Sequence, residues 1–328
     1  MLKLILVSFF LFSSSCSSNK LISLPDWYLN PPQNDNITLY GVGYGSDLKN
    51  SEQNALDNLS QKIIVSISSS MEISKQENSY NKKANFSESS RQQIKSKVAQ
   101  ISFINFKNDK SAVFNNQIYS LVSINRQELI NQYEEKVNYY TDKINQISSQ
   151  QKNKTLIEQK ADFLQIEKLI NKAEKDLNIL NAIVLNREKT AKYKSKFKQL
   201  KLAHIKLNNA LSIYIDSDKK SQKIAAVIST AFAKNGIKIN ENKQSNNDEI
   251  IIKISSTKNK QFLYGSYLIK SEINIAFLSN KNQIIKNSIM RASGSSVISY
   301  TEADNNQARI FAKKISKKNN IFEMLGFN

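Results

Sequence analysis

One thiol, one imidazole and a large excess of lysine supply the reactive groups of this 328-residue chain. The thiol is Cys16, the only cysteine, and it follows Lys3, a largely apolar run from Leu4 to Phe12, and the serines Ser13, Ser14 and Ser15. A helix that crosses a bilayer needs roughly 20 apolar residues, so this run is too short to span one but long enough for the hydrophobic stretch of an export signal. Ser14 and Ser15 leave an unobstructed peptide bond for a signal peptidase. Sulfur is the atom through which diacylglycerol is attached, so cleavage before Cys16 would leave a lipid-bearing N-terminus. The arrangement predicts a lipoprotein signal peptide over residues 1–15, lipid attachment (palmitate among the acyl groups) at Cys16, and a lipidated tether over residues 16–24. Ser13 stands where leucine is usual, three residues before the cysteine. Ser17 follows the lipid site in place of the aspartate that retains some lipoproteins at the inner membrane, which points to the outer membrane, on its periplasmic or surface face.

The remaining groups argue against catalysis. His204 is the sole histidine, which excludes His-dependent triads and His-pair metal sites, and no cysteine remains for a zinc site or a disulfide. We expect neither metal nor cofactor. His204 shares an apolar stripe with Leu200, Leu207 and Leu211, the position of a packed helix residue. Glu134 and Glu135 are adjacent, so a helix would point their carboxylates about 100° apart and prevent them from sharing a proton. Gly41-x-Gly43-x-Gly45 has the beginnings of a dinucleotide fingerprint, but Ser46 replaces the last glycine, and a tight turn accounts for the glycines better. The formal charge of +19 favours anionic partners, yet only five residues are arginine: Arg91, Arg126, Arg187, Arg291 and Arg309. Base and phosphate recognition leans on the arginine fork, so no nucleic acid is expected. The densest basic stretch, Arg187 to Lys201, nominates Lys192, Lys194, Lys196, Lys198 and Lys201 as a contact for an anionic lipid, glycan or cell-wall polymer.

The elements that would position these groups fall into three blocks. Residues 25–126 predict one α+β domain. A proline-rich extended lead-in carries Trp27, a strand over Ile37–Tyr40 runs into the glycines, and a helix starts at Asn50 or Ser51 with Ala55, Leu56, Leu59 and Ile63 inward. Ile63, Val65, Ile67, Met71 and Ile73 then alternate as a half-buried strand. A second helix carries Ile94, Val98 and Ile101, and a hairpin turns at Asn115-Asn116. Residues 127–208 show two heptad seams, Ile130-Tyr133-Val137-Tyr140-Ile144-Ile147 and Phe163-Ile166-Ile170-Ala173-Leu177-Leu180-Val184, separated by polar residues 148–154. Such seams close on each other as a long antiparallel hairpin, or on another copy or partner as a coiled coil. Residues 209–328 predict a second α+β domain, with strands at Leu211–Ile215, Ile237–Ile239, Ile250–Ile254, Tyr267–Phe277 and Ile284–Met290. Its helices lie over Ser221–Lys234 and from about Glu302 to Lys318, packed on an antiparallel sheet. The fold class expected is therefore α+β, two such domains separated by a helical hairpin.

Three stretches carry a family likeness: Pro25-Asp26-Trp27, Leu39-Tyr40-Gly41-Val42-Gly43, and Ala55-Leu56-x-x-Leu59-x-x-x-Ile63-x-Val65-x-Ile67-x-Ser69. With the signal, they resemble the twenty-kilodalton outer-membrane lipoprotein family (LPP-twenty), over residues 25–126. Similar domains occur in flagellar basal-body lipoproteins and a flagellar outer-ring protein. The resemblance implies scaffolding in the envelope with protein partners and no chemistry; the helical insert lies outside it. The expected function is thus a non-enzymatic, membrane-tethered interaction module, with binding of an anionic envelope component through the basic helix as the alternative.

Overall fold

The computed structural model describes residues 23–78, 101–244, 249–317 and 321–327. Cys16, the expected signal peptide, and Ile94 and Val98 of the expected second helix lie outside the described residues. The molecule is α+β with two sheets, and the chain divides into two compact units: residues up to Tyr133 with Asn178–Leu185, and Glu134–Leu177 with Asn186–Asn328.

In the first unit a helical turn, α1 (Asp26–Leu29), precedes β1 (Thr38–Gly45), α2 (Leu48–Asn78), β2 (Lys107–Phe114) and β3 (Gln117–Asn125). The strands form an antiparallel sheet in the order β1-β3-β2. Asn115 and Asn116, at φ 47° and 61°, make the hairpin turn that their side chains favour. The lead-in opens with a single helical turn instead of running extended throughout. Tyr28 packs it on the sheet, its ring 4.7 Å edge-on from Tyr119, which in turn stacks 5.7 Å from Tyr44.

Two expectations are corrected here. The glycines make no tight turn: Gly41, Gly43 and Gly45 all lie within β1. A Cβ on Gly41 would sit 2.2 Å from the Ala55 carbonyl oxygen, and one on Gly43 2.2 Å from the Ala55 nitrogen, so their missing side chains let α2 lie directly on the strand. Nor is residues 63–73 a strand, since α2 runs unbroken through them. Ile63 and Ile67 are four apart, a spacing that both periods allow, but Val65 is 63% exposed where a two-residue repeat would bury it. The helix also starts earlier than expected. The Asp47 carboxylate accepts from the Asn50 backbone N–H at 2.8 Å, leaving Ser51 free to pair its buried hydroxyl with Ser120 at 2.6 Å.

Three helices follow: α3 (Arg126–Ser149), α4 (Leu156–Ile183) and α5 (Glu188–Ala210). The polar break falls at the expected residues, with a 3₁₀ turn over Gln151–Asn153 and a capping box in which the Thr155 amide and hydroxyl both donate to Glu158. Within the second unit α5 runs in step with α3, through Lys189 to Glu134, Tyr193 to Asn138 and Lys196 to Asn145. It runs against α4, through Lys201 to Glu174 and Lys160 to Asn208.

The second sheet comprises β4 (Ser212–Ser217), β5 (Lys238–Asn240), β6 (Glu249–Leu263), β7 (Ser266–Leu278) and β8 (Ile284–Ser296), in the order β5-β4-β6-β7-β8. It is mixed, not purely antiparallel, because β4 pairs in parallel with both β5 and β6. The β4-to-β5 connection is the helix α6 (Gln222–Lys234), as a parallel crossover requires. Alternate residues Ile250, Ile252 and Ile254 with Ile273, Ile275 and Phe277 face α6 and α7 (Tyr300–Lys317) in one apolar core. The tail adds what the pattern did not announce: α8 (Ile321–Met324) and the residues after it drive Phe322 and Phe327 into that core, 5.4 Å from Phe232 and 4.9 Å from Phe277.

Candidate functional site

The feature of the second unit that is most exposed for contact is the end of the β6–β7 hairpin. The strands pair continuously from Ile251–Leu278 to Leu263–Ser266 and reverse at Tyr264-Gly265, whose φ values of 50° and 72° define a tight two-residue turn. β8 accompanies β7 only to the Tyr267–Ser296 pair, so the last residues of the hairpin extend past it. Phe262 and Leu263 are exposed there, Tyr264 stands wholly in solvent, and Val297 and Ile298 add further exposed apolar surface just beyond β8. Phe262 and Leu263 face opposite sides of the hairpin, so the exposed apolar side chains surround its end, as at contact surfaces. Aromatic contacts hold the hairpin base: Phe262 and Tyr300 each pack against Tyr267 at 4.9 Å, and the Lys260 ammonium lies 5.3 Å over the Tyr300 ring. Of the nearby acids, Asp304 pairs with Lys258 at 2.5 Å and with Lys223 at 3.2 Å, Glu272 with Arg291 at 3.4 Å, and Glu302 accepts from the Asn305 side chain at 3.0 Å. The sequence pattern of β6 ends in Phe262-Leu263-Tyr264, three apolar residues in a row before a Gly, and that break in the alternation is the signal from which the tip was recoverable.

A second constellation lies between α4 and α5. Lys160 is 1% exposed, and its ammonium donates to Asn208 Oδ1 at 2.5 Å and meets His204 Nε2 at 2.8 Å. The imidazole stacks on Phe163 at 5.4 Å, and its Nδ1 stands 4.0 Å from Glu167. Burial pulls the Lys160 amine down to about 8, against a small opposing pull from Glu167. His204 is held below its ordinary value by burial first and by the Lys160 charge second, with Glu167 opposing. The Lys160 amine is covered, enclosed by the Asn208 and His204 side chains. A pocket of about 220 Å³ beside it is lined by Phe163, Ile166, Glu167, Leu200 and His204. Sequence reasoning placed His204 on the packed stripe and missed Lys160, which interrupts the apolar Ile157-Ala161-Leu164 face at a core position.

The five lysines expected to act together are separated by the helix. At about 100° per residue, Lys192 and Lys196 flank one side of the Tyr193-Phe197-Leu200 stripe, and Lys194, Lys198 and Lys201 flank the other. Lys192 pairs with Glu188 at 3.4 Å, Lys196 with Asn145 at 2.5 Å and Lys201 with Glu174 at 2.6 Å. Lys194 and Lys198 are exposed; burial of its stem and then repulsion from Arg187 lower the Lys194 amine from its ordinary value. Glu134 binds Lys189, while Glu135 is exposed.

No family model matches the chain, and no curated protein matches it either. Among solved structures, a secreted protein of Helicobacter pylori aligns over 84% of this chain and 95% of its own, at 18% identity and a TM-score of 0.44. A minor lipoprotein of Acinetobacter baumannii aligns over 32% of this chain and 92% of its own, at 15% identity and a TM-score of 0.25.

Proposed function

We propose that the chain is a non-enzymatic lipoprotein of the bacterial outer membrane, anchored through Cys16, that works as an interaction module in the envelope. Its helical insert separates two α+β domains in this reading, and the resemblance to the LPP-twenty family makes envelope assemblies, flagellar ones included, its natural setting. The observation that supports it most is the group of exposed apolar residues around the end of a hairpin held by aromatic contacts, a surface suited to contact and not to bond-breaking. Binding of an anionic polymer by the α5 lysines has less support, because they divide between two flanks and three of them already hold partners.

Fractionation of cells expressing the full chain tests the anchor. The protein should partition with outer membrane, and Cys16→Ser should remove it from that fraction. A soluble cytosolic product from the native sequence would overturn the reading. Crosslinking in intact cells should bring down envelope components, and normal motility in a deletion strain would rule out the flagellar setting.

A further inference from the structure

We propose that the β6–β7 tip is a second membrane contact, inserting Phe262, Leu263 and Tyr264 into the interfacial layer of an anionic bilayer. This deepens the envelope reading by naming the partner of its contact surface, and it rests on that reading only for where the bilayer is met.

Four observations carry it. The apolar residues sit on a convex, two-stranded end, and Tyr264 projects wholly into solvent, a shape that enters a surface instead of receiving one. The composition is that of the membrane interface, an aromatic with a polar tip beside Phe and Leu, with Val297 and Ile298 broadening the apolar footprint. Lys260 and Lys270 lie behind the tip on opposite faces of the hairpin, both exposed; of the acids near its base, Asp304 pairs with Lys258 and Lys223, Glu272 with Arg291, and Glu302 accepts from the Asn305 side chain. The two exposed lysines can meet lipid phosphates, and the net charge of +19 adds attraction to an acidic surface. Finally, Tyr264 and Gly265 at φ 50° and 72° already form a tight turn, with Tyr267 packed on Tyr300 at its base, so insertion demands little reshaping of the loop.

The test uses the full chain with Cys16→Ser, which leaves no native thiol, and Tyr264→Cys carrying an environment-sensitive fluorophore. A control chain carries the fluorophore at Lys281→Cys, in the turn between β7 and β8 at the opposite end of the same strands. On vesicles of phosphatidylglycerol and phosphatidylcholine, the residue-264 probe should shift to the blue and be quenched by lipids labelled at shallow acyl positions. The residue-281 probe should not respond. Phe262→Ser with Leu263→Ser should weaken the residue-264 response about tenfold or more, and raised salt should weaken it too. Protein that sediments with vesicles while the residue-264 probe stays water-exposed overturns the proposal. So does equal insertion into uncharged phosphatidylcholine, and so does a probe silent on lipid but shielded by a protein partner. Because the probe reads the tip itself in a chain that cannot be lipidated, failure of the tip and failure of the Cys16 anchor are separate results.

Discussion

Lys160 is the residue at which stability and charge are most directly in conflict. Its partners His204 and Asn208 are neutral acceptors, and moving its amine from 10.5 to about 8 corresponds to about 3 kcal/mol of disfavoured charge. Folded protein releases this proton near pH 8 and unfolded protein near 10.5, so between those values the unfolded state binds more protons and this group's contribution to stability rises with pH. Lys160→Met should therefore raise the melting temperature, by the equivalent of about 1–3 kcal/mol, with the gap from the native chain widest below pH 8 and closing toward 10.5. A second readout follows from the single imidazole: in the same variant the NMR titration midpoint of His204 should move up, since a repelling charge has gone. An unmoved midpoint would place Lys160 away from the ring. His204 itself, held below 6.5, makes the native chain lose stability as pH falls through that value. At Gly43, a methyl group would meet backbone of α2, so Gly43→Ala should cost about 1–3 kcal/mol or more in chemical denaturation.

At the scale of elements, α2 offers the sharpest test of helix against strand. Val65→Lys should change stability by about 0.5 kcal/mol or less, whereas Ile67→Lys, at a buried position on the same helix, should destabilise by several times that. Equal damage from both would restore the strand. The tail is equally testable: Phe322→Ala should cost about 3–5 kcal/mol, because the ring fills the core beside Phe232. These two elements also mark where sequence and structure part. Ile63 and Ile67 fit both repeats, and only the helix's packing on the glycines of β1 decides between them. Phe322 and Phe327 follow a lysine-rich stretch with too few residues for a period to show. The β2–β3 hairpin, the α3–α4 break and the strands of the second sheet were legible, because asparagine turns, a polar interruption between two apolar seams and strict alternation each leave local marks. Parallel pairing of β4 was not, since it depends on a crossover partner far along the chain. Of the candidate site, the lysines could be found but not their division between flanks, and Lys160 was hidden because one charge in an apolar stripe resembles a helix edge.

Taken whole, none of the described helices is long and apolar enough to cross a membrane; in the proposed reading, attachment falls to the lipid at Cys16 and to the hairpin tip. The two proposed attachments should leave different signatures: a covalent anchor would be indifferent to salt, while a tip working with Lys260, Lys270 and a net charge of +19 should release as ionic strength rises. The measurement that tests the account most directly is intact mass of the native protein purified from membranes. The account predicts a chain beginning at Cys16 and carrying a thioether-linked diacylglycerol with an acylated N-terminus. An unmodified chain that begins upstream of residue 16 would contradict it.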